Sequence, residues 1–434
     1  MDSTQAAPSP HGPVETPGRP ARRVAVPTIL AGVLVVSTFA LVLTMKSPKV
    51  NVMVSGDTAA IVRGNSAFAL DFYQQVRGTE GNLFFSPYSP SMGLAMAYAG
   101  ARGNTQQQMA KVLHFPLEQA QLHPTLAGLQ ADLDQMQQTG HITIHSANSL
   151  WIQEGYPLLD DYLSLAKTSY GTSVTPLDFR DQERACKRIN QWVEQMTASK
   201  IKDVLDPGTL DPGTTLALIN AIYFKGNWQD QFTPQLTDDA PFHVTPSQSV
   251  QVPMMTQTKK VRYGEMRSLQ ILELPYVGGD LSMLLLLPEK ANGLDELETS
   301  FTTESLGKWR ASLREVKVRI FLPKFTFTFC LRVDDILKSM GMPDAFSLPP
   351  ADFTGMTGKA DLYINAAIHK AYVEVNEEGT EAAAVTFVAV DRARGSRSKE
   401  PPTFRADHPF LFLIQERRTG SILFIGRVIN PTKS

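Results

Sequence analysis

Three patterns of apolar and polar residues divide this chain. The first is a run with no charged residue, residues 24–45, V-A-V-P-T-I-L-A-G-V-L-V-V-S-T-F-A-L-V-L-T-M. As a helix it would extend ~33 Å, enough to cross a hydrocarbon core. The second pattern is helical spacing. Phe68, Phe72, Tyr73 and Val76 share one stripe, and Pro87 and Pro90 punctuate the entry to an apolar helix over residues 92–98. Residues 117–140, which contain no Lys or Arg, also read as helical. Ile189, Trp192, Val193 and Met196 line one face of a helix over residues 184–197. The third pattern is strand-like. Residues 215–224, 269–275, 281–287 and 316–329 are rich in aliphatic, β-branched and aromatic side chains, and 410–415 with 421–428 form a hairpin through E-R-R-T-G. Helices and strands alternate without regular βαβ spacing. The prediction is an α+β fold, helix-rich in its N-terminal part, with mostly antiparallel sheets.

One stretch, residues 373–390, combines two of these patterns: V-E-V-N-E-E-G-T-E-A-A-A-V-T-F-V-A-V. It begins as apolar/polar alternation, passes through Gly379, and continues in small and β-forming residues. Half reads as a strand and half as a strand held in reserve. Gly379 can absorb a backbone change at a pivot. Ala382, Ala383 and Ala384 carry almost no side chain to obstruct entry into a crowded sheet. An Arg-studded, prolyl segment follows over residues 391–402.

The N-terminus is organised differently. Residues 1–23 are rich in Pro, Ala, Ser and Gly and read as a disordered tail. Arg19, Arg22 and Arg23 precede the apolar run, which favours a cytoplasmic N-terminus and an exported body. Residues 24–45 are therefore read as a transmembrane signal anchor and residues 46–57 as a tether. A cleaved signal peptide, with secretion of the body, is the alternative, although the shorter apolar core and the A-x-A-like site it would use are not evident. A buried helix is the third reading. No linker or repeat interrupts the chain after the tether, so residues 58–434 form one large domain.

Composition narrows the chemistry. The chain has 434 residues and a formal net charge of -2, which points to no nucleic-acid partner. Its two cysteines, Cys186 and Cys330, form no CxxC or Cys/His cluster, so no metal site is expected; two buried free thiols are expected, with one disulfide as the alternative. There is no GxGxxG, P-loop, HExxH or GxSxG. His141 and His145 sit in a strand-like segment and read as core-edge or surface residues. Ser86 and His369 are conceivable as nucleophile and base, but no nucleophile elbow or orienting carboxylate accompanies them, and satisfied structural polar groups are the better reading.

Several long segments resemble the serpin family, in that family's order. They are N-L-F-F-S-P-Y-S, I-N-Q-W-V-E-Q-M-T-A-S-K-I, A-L-I-N-A-I-Y-F-K-G-N-W, V-P-M-M, H-K-A-Y-V-E-V-N-E-E-G-T-E and F-R-A-D-H-P-F-L-F-L-I, together spanning nearly all of residues 58–434. Ser199 departs from the pattern, standing where the family often has Gly; only a local turn should change.

The resemblance implies a suicide-type protease inhibitor rather than an enzyme, without a cofactor. The target endopeptidase cleaves an exposed reactive loop, here about residues 377–403. The loop's N-terminal arm then inserts into the central sheet and traps the acyl-enzyme. Glu377, Gly379, Thr380, Glu381, Ala382, Ala383 and Ala384 match the hinge, with Glu377 at the top of the preceding strand. Alternate residues Thr380, Ala382, Ala384 and Thr386 should face the sheet interior, and none is charged. Ser86, Ser89, Asn220 and His369 match a polar set that gates the opening strands by hydrogen bonds, and Trp228 matches a tryptophan where the loop first enters. Counting from Gly379, the family's spacing puts the cut between Ala393 and Arg394. A loop one residue shorter puts it after Arg392, and one residue longer puts it after Arg394. Arg would suit a trypsin-like serine protease and Ala an elastase-like one, with cysteine proteases also open. The alternative is a non-inhibitory serpin acting as a binding or storage module.

Overall fold

A computed structural model of the chain describes residues 55–138, 140–171, 174–380 and 400–433. Two sheets form its framework. The larger has the strand order Leu83–Phe85, Ile422–Val428, Phe410–Glu416, Leu281–Pro288, Leu269–Pro275, Gln248–Met266, Arg314–Pro323, Thr403–Arg405, with Asp238–Thr245 also paired to Gln248–Met266. The smaller runs Phe325–Arg332, Ile364–Val375, Leu216–Asn227, Ile142–Gln153, Thr175–Leu177, and the short strand Gly379–Thr380 pairs with Leu216–Asn227. The fold is α+β as the patterning predicts. Most strand pairs are antiparallel, but the central pair of the smaller sheet, Ile364–Val375 with Leu216–Asn227, is parallel.

Both faces of that pair are buried, which explains why its sequence shows no polar face. Leu216, Leu218, Ile222 and Phe224 enter one core, shared with the helix Tyr88–Gly100 and the larger sheet. Ala217, Ile219, Ala221 and Tyr223 enter a second core beneath the helix Gln182–Met196. The same alternation runs along Ile364–Val375, where Ala367, Ala371 and Val373 face the first core and Ala366, Ile368 and Tyr372 the second.

Several boundaries differ from the sequence-based expectation. Residues 316–329 are not one strand. Arg314–Pro323 lies in the larger sheet and Phe325–Arg332 in the smaller, and Lys324 at the break donates its backbone N–H to Pro253 O. The alternation shifts phase at the break: Val316, Val318, Ile320 and Leu322 are the inward positions before Pro323 and Lys324, and Phe325, Phe327 and Phe329 after them, so the change of sheet is marked by that slip and not by any loss of apolar residues. The helix expected at 92–98 runs over Tyr88–Gly100, buried at every position, which removes the polar face that would mark its ends. The helix expected at 184–197 starts at Gln182, because Asp181 accepts a hydrogen bond from the Arg184 N–H. The first helix, Gly56–Val76, begins within the segment read as tether, with the Ser55 side chain accepting from the Thr58 N–H. Both cysteines are free, but only Cys186 is buried; Cys330 is exposed on an edge strand of the smaller sheet. Among the described residues no helix is long and apolar enough to cross a membrane. The apolar run 24–45 lies outside them.

Candidate functional site: a strand seam and its hinge

Strands Ile364–Val375 and Leu216–Asn227 stay in register up to the pair Tyr372↔Tyr223 and then part. The chain itself returns into the widening gap. After the turn Asn376-Glu377-Glu378, Gly379 and Thr380 pair antiparallel with Asn227 and Gly226. The turn is tightly held. The Asn376 N–H donates to Gly379 O at 2.9 Å, and Asn376 Oδ1 accepts from the Glu378 and Gly379 N–H groups at 3.1 and 3.3 Å. Its outward carbonyls are collected by the segment beyond Asn227. Trp228 N–H donates to Glu378 O at 2.9 Å, Trp228 Nε1 to Asn376 O at 3.0 Å, and Phe232 N–H to Glu377 O at 2.8 Å.

Gly379 is required here by close approach: a Cβ at this position would lie 2.1 Å from Gly226 O and 2.7 Å from Asn227 Cα. Thr380 is fully buried, its Oγ1 2.9 Å from the Tyr276 hydroxyl. Tyr276 stacks on Trp228 with ring centroids 4.8 Å apart and meets Phe224 edge-on. Burial pushes the Tyr276 phenol well above its ordinary range, so it offers a neutral hydroxyl.

Glu377 anchors the turn laterally. It accepts from Lys324 Nζ at 2.8 Å and from Thr237 Oγ1 at 2.8 Å. Burial by itself would raise its carboxyl, but the Lys324 ammonium, a backbone N–H and the Thr237 hydroxyl hold it below the usual carboxylate value.

Beneath the same strands a polar network spans the seam. His369 and Asn220 are directly opposite in register, and His369 Nδ1 donates to Asn220 Oδ1. Asn220 Nδ2 donates to Ser89 Oγ at 2.6 Å and to Asn148 Oδ1, carrying the network to the next strand, Ile142–Gln153. Ser89 Oγ also donates to Asn148 Oδ1 at 3.0 Å. His369 Nε2 accepts the Ser86 backbone N–H at 3.0 Å, so this nitrogen carries no proton. Burial pushes the imidazole down to about 3, and the ring is neutral.

This arrangement does not suit a Ser–His hydrolase. The Ser86 hydroxyl accepts from the Ser89 N–H at 3.0 Å and does not meet the imidazole, while Ser86 and His369 are both fully buried.

The structure therefore brings together Ser86, Ser89, Asn220 and His369 in one network, and Trp228, Glu377, Gly379 and Thr380 in one corner. Glu381, Ala382, Ala383, Ala384, Arg392, Ala393 and Arg394 lie outside the described residues. Sequence reasoning missed Tyr276, Lys324, Thr237 and Asn148. Each comes from a separate strand or turn, and only tertiary pairing shows its partner.

This fold, with its parallel strand pair and the chain returning beside it, is that of a serpin. Residues 63–431 match the family described as serpin (serine protease inhibitor), and this chain belongs to it. An uncharacterized serpin-like protein of Thermococcus kodakarensis is 39% identical over 389 residues, 89% of this chain and 90% of that one. The leukocyte elastase inhibitor of Bos taurus is 40% identical over 378 residues, covering 85% and 98%. Among solved structures, uncleaved ovalbumin superposes with a TM-score of 0.77 at 32% identity, covering 86% of this chain and all (100%) of that one.

Proposed function

We propose that this chain is an inhibitory serpin that traps its target protease by inserting its cleaved loop into the Tyr372/Tyr223 seam. The observation that carries the reading is the antiparallel pairing of Gly379 and Thr380 with Asn227 and Gly226, which gives an incoming arm its first rungs. Each further residue that zips inward exchanges water for ladder hydrogen bonds, at about 1 kcal/mol net per bond. The catalytic nucleophile belongs to the protease, and this chain is its substrate and then its trap. The relatives named leukocyte elastase inhibitors favour a serine protease target.

Mixing the full chain with trypsin and with elastase and running denaturing gels tests this. A covalent complex that survives SDS is expected with one of them, and clean loop cleavage by both without a complex would sink the proposal in favour of a non-inhibitory serpin. N-terminal sequencing of the released fragment assigns the cut, expected between Ala393 and Arg394, with Arg392 the alternative P1 residue.

We also propose that residues 24–45 anchor the domain outside the cytoplasm, on the strength of their uncharged run and the arginines before it. Carbonate extraction of expressing cells should leave the protein in the membrane pellet. Recovery of a shortened form from the medium would favour cleavage and secretion.

A further inference from the structure

On the outer face of the seam, opposite the His369 network, Tyr223 and Tyr372 meet edge to face with ring centroids 5.7 Å apart. They are the last register pair before the strands part. The Lys200 ammonium lies over both rings, 5.9 Å from the Tyr223 centroid and 5.7 Å from that of Tyr372. Both distances are within the range at which a cation is attracted to a ring face.

Lys200 belongs to neither strand. It leaves the helix Gln182–Met196 through a turn in which Ala198 and Ser199 are both left-handed, at φ 50° and 61°. Glycine takes that conformation more cheaply, so Ser199 keeps the turn at some cost. The buried Thr197 hydroxyl locks the turn, donating to Val193 O at 2.8 Å and accepting from the Ile201 N–H at 3.2 Å. The same connector accepts Lys370 Nζ, from the Ile364–Val375 strand, on the carbonyls of Lys202 and Asp203 at 2.8 and 3.0 Å.

We infer that Lys200 is a positioning residue that clamps the seam shut and sets the rate of strand insertion. This rests on the loop insertion proposed above. Continuing the Gly379↔Asn227 register inward brings Ala383 opposite Tyr223. A strand there separates the two tyrosine backbones to roughly 9–10 Å, twice the ordinary interstrand spacing. The ring pair then breaks, and one ammonium no longer covers both faces. The clamp stabilises the closed seam and is lost as the seam opens, so it slows insertion.

The experiment uses the intact full chain and a synthetic peptide of residues 380–390, T-E-A-A-A-V-T-F-V-A-V, with incorporation followed on native gels. Lys200→Met keeps the aliphatic stem and removes the charge. It should take up peptide about five-fold faster than wild type, in line with one or two cation–ring contacts. Lys200→Arg should restore the wild-type rate, and the melting temperature of the peptide-loaded form should be the same in all three. A Lys200→Met rate within two-fold of wild type, or an equally fast Lys200→Arg, overturns the clamp while leaving insertion intact. If the wild-type chain takes up no peptide at all, insertion itself fails and the clamp falls with it.

Discussion

Thr380 Oγ1 and the Tyr276 hydroxyl are hydrogen-bonded at 2.9 Å in a fully buried corner, although 104 residues separate them in the chain. Tyr276 leads out of the strand Leu269–Pro275 of the larger sheet and bridges in isolation to Trp228. The hinge of the loop is therefore registered against both sheets at once. Thr380 occupies a fully buried, interior-facing site.

On the proposed trapping mechanism, replacing Thr380 by Arg should turn an inhibitor into a substrate. The site has no exposed surface and its partner is the neutral Tyr276 hydroxyl, so a guanidinium would force this turn out of the sheet and then resist re-entry at a cost of several kcal/mol. The expected result on a denaturing gel is loop cleavage without a covalent complex. An unchanged yield of complex would count against insertion through this corner.

Gly379→Ala should disturb the same corner from the backbone side. The added methyl would sit 2.1 Å from Gly226 O, and neither backbone can yield without breaking the Gly379↔Asn227 rung. Limited proteolysis should show the arm becoming more susceptible, with the rest of the domain melting as before. Wild-type susceptibility would contradict the close approach.

Lys324→Met should loosen the turn. It leaves the Glu377 carboxylate partly buried with only Thr237 and backbone to satisfy it, a loss of about 1–3 kcal/mol. Chemical denaturation of the intact protein measures this. Glu377→Gln combined with Lys324→Met should recover part of the loss, since the stranded charge is then removed.

Acid should destabilise the fold through two buried imidazoles. Burial lowers His369 to about 3 and His123 to about 4, against about 6.5 for a histidine in the unfolded chain. The folded state refuses a proton that the unfolded state accepts. Their contribution is thus fully present above about pH 6.5 and is lost as pH falls below it, by about 1.4 kcal/mol per pH unit for each group. Denaturant titrations at pH 7.5, 6.0 and 5.0 should show this fall. His123→Phe should shift the whole curve, because the Tyr170 hydroxyl loses its partner, yet flatten its slope by one proton. An unaltered slope would show that His123 titrates normally.

Arg427→Met should be among the costliest single changes. Arg427 and Glu298 are both buried and paired at 3.0 Å, and Arg427 also donates to the carbonyls of Arg77, Thr79 and Gly81. Breaking the pair from one side strands a buried carboxylate, at about 3–5 kcal/mol. The loss should appear as a lowered denaturation midpoint with an unchanged slope.

What could be read from the chain alone follows from local rules. The stripe of Phe68, Phe72, Tyr73 and Val76 has helical period, and these residues are buried on Gly56–Val76. Gly379 stood out because only glycine tolerates such a pivot, and the family's motifs tied it to Thr380 and Trp228. Where both faces of an element are buried, local rules lose their hold. The Tyr88–Gly100 helix lost its ends. Residues 316–329, by contrast, carry a mark of their change of sheet in the phase slip across Pro323 and Lys324. Tyr276 carried no signal, since a tyrosine after a strand is ordinary until its partner is known, and the motif that contains Lys200 gives no hint of the two rings it covers.

The sequence by itself thus determined the class of fold, and the family's motifs picked out Gly379 and the set Ser86, Ser89, Asn220 and His369 that the structure brings together, because backbone conformation, periodicity and uninterrupted motifs are local properties. Tertiary structure alone decided that the seam is parallel and where it parts. It also decided that Tyr276 receives Thr380, that Lys324 holds Glu377, and that Lys200 lies across Tyr223 and Tyr372. The reason is physical: these contacts join segments far apart in the chain, and chain spacing carries no record of which strands become neighbours once both faces of a sheet are buried.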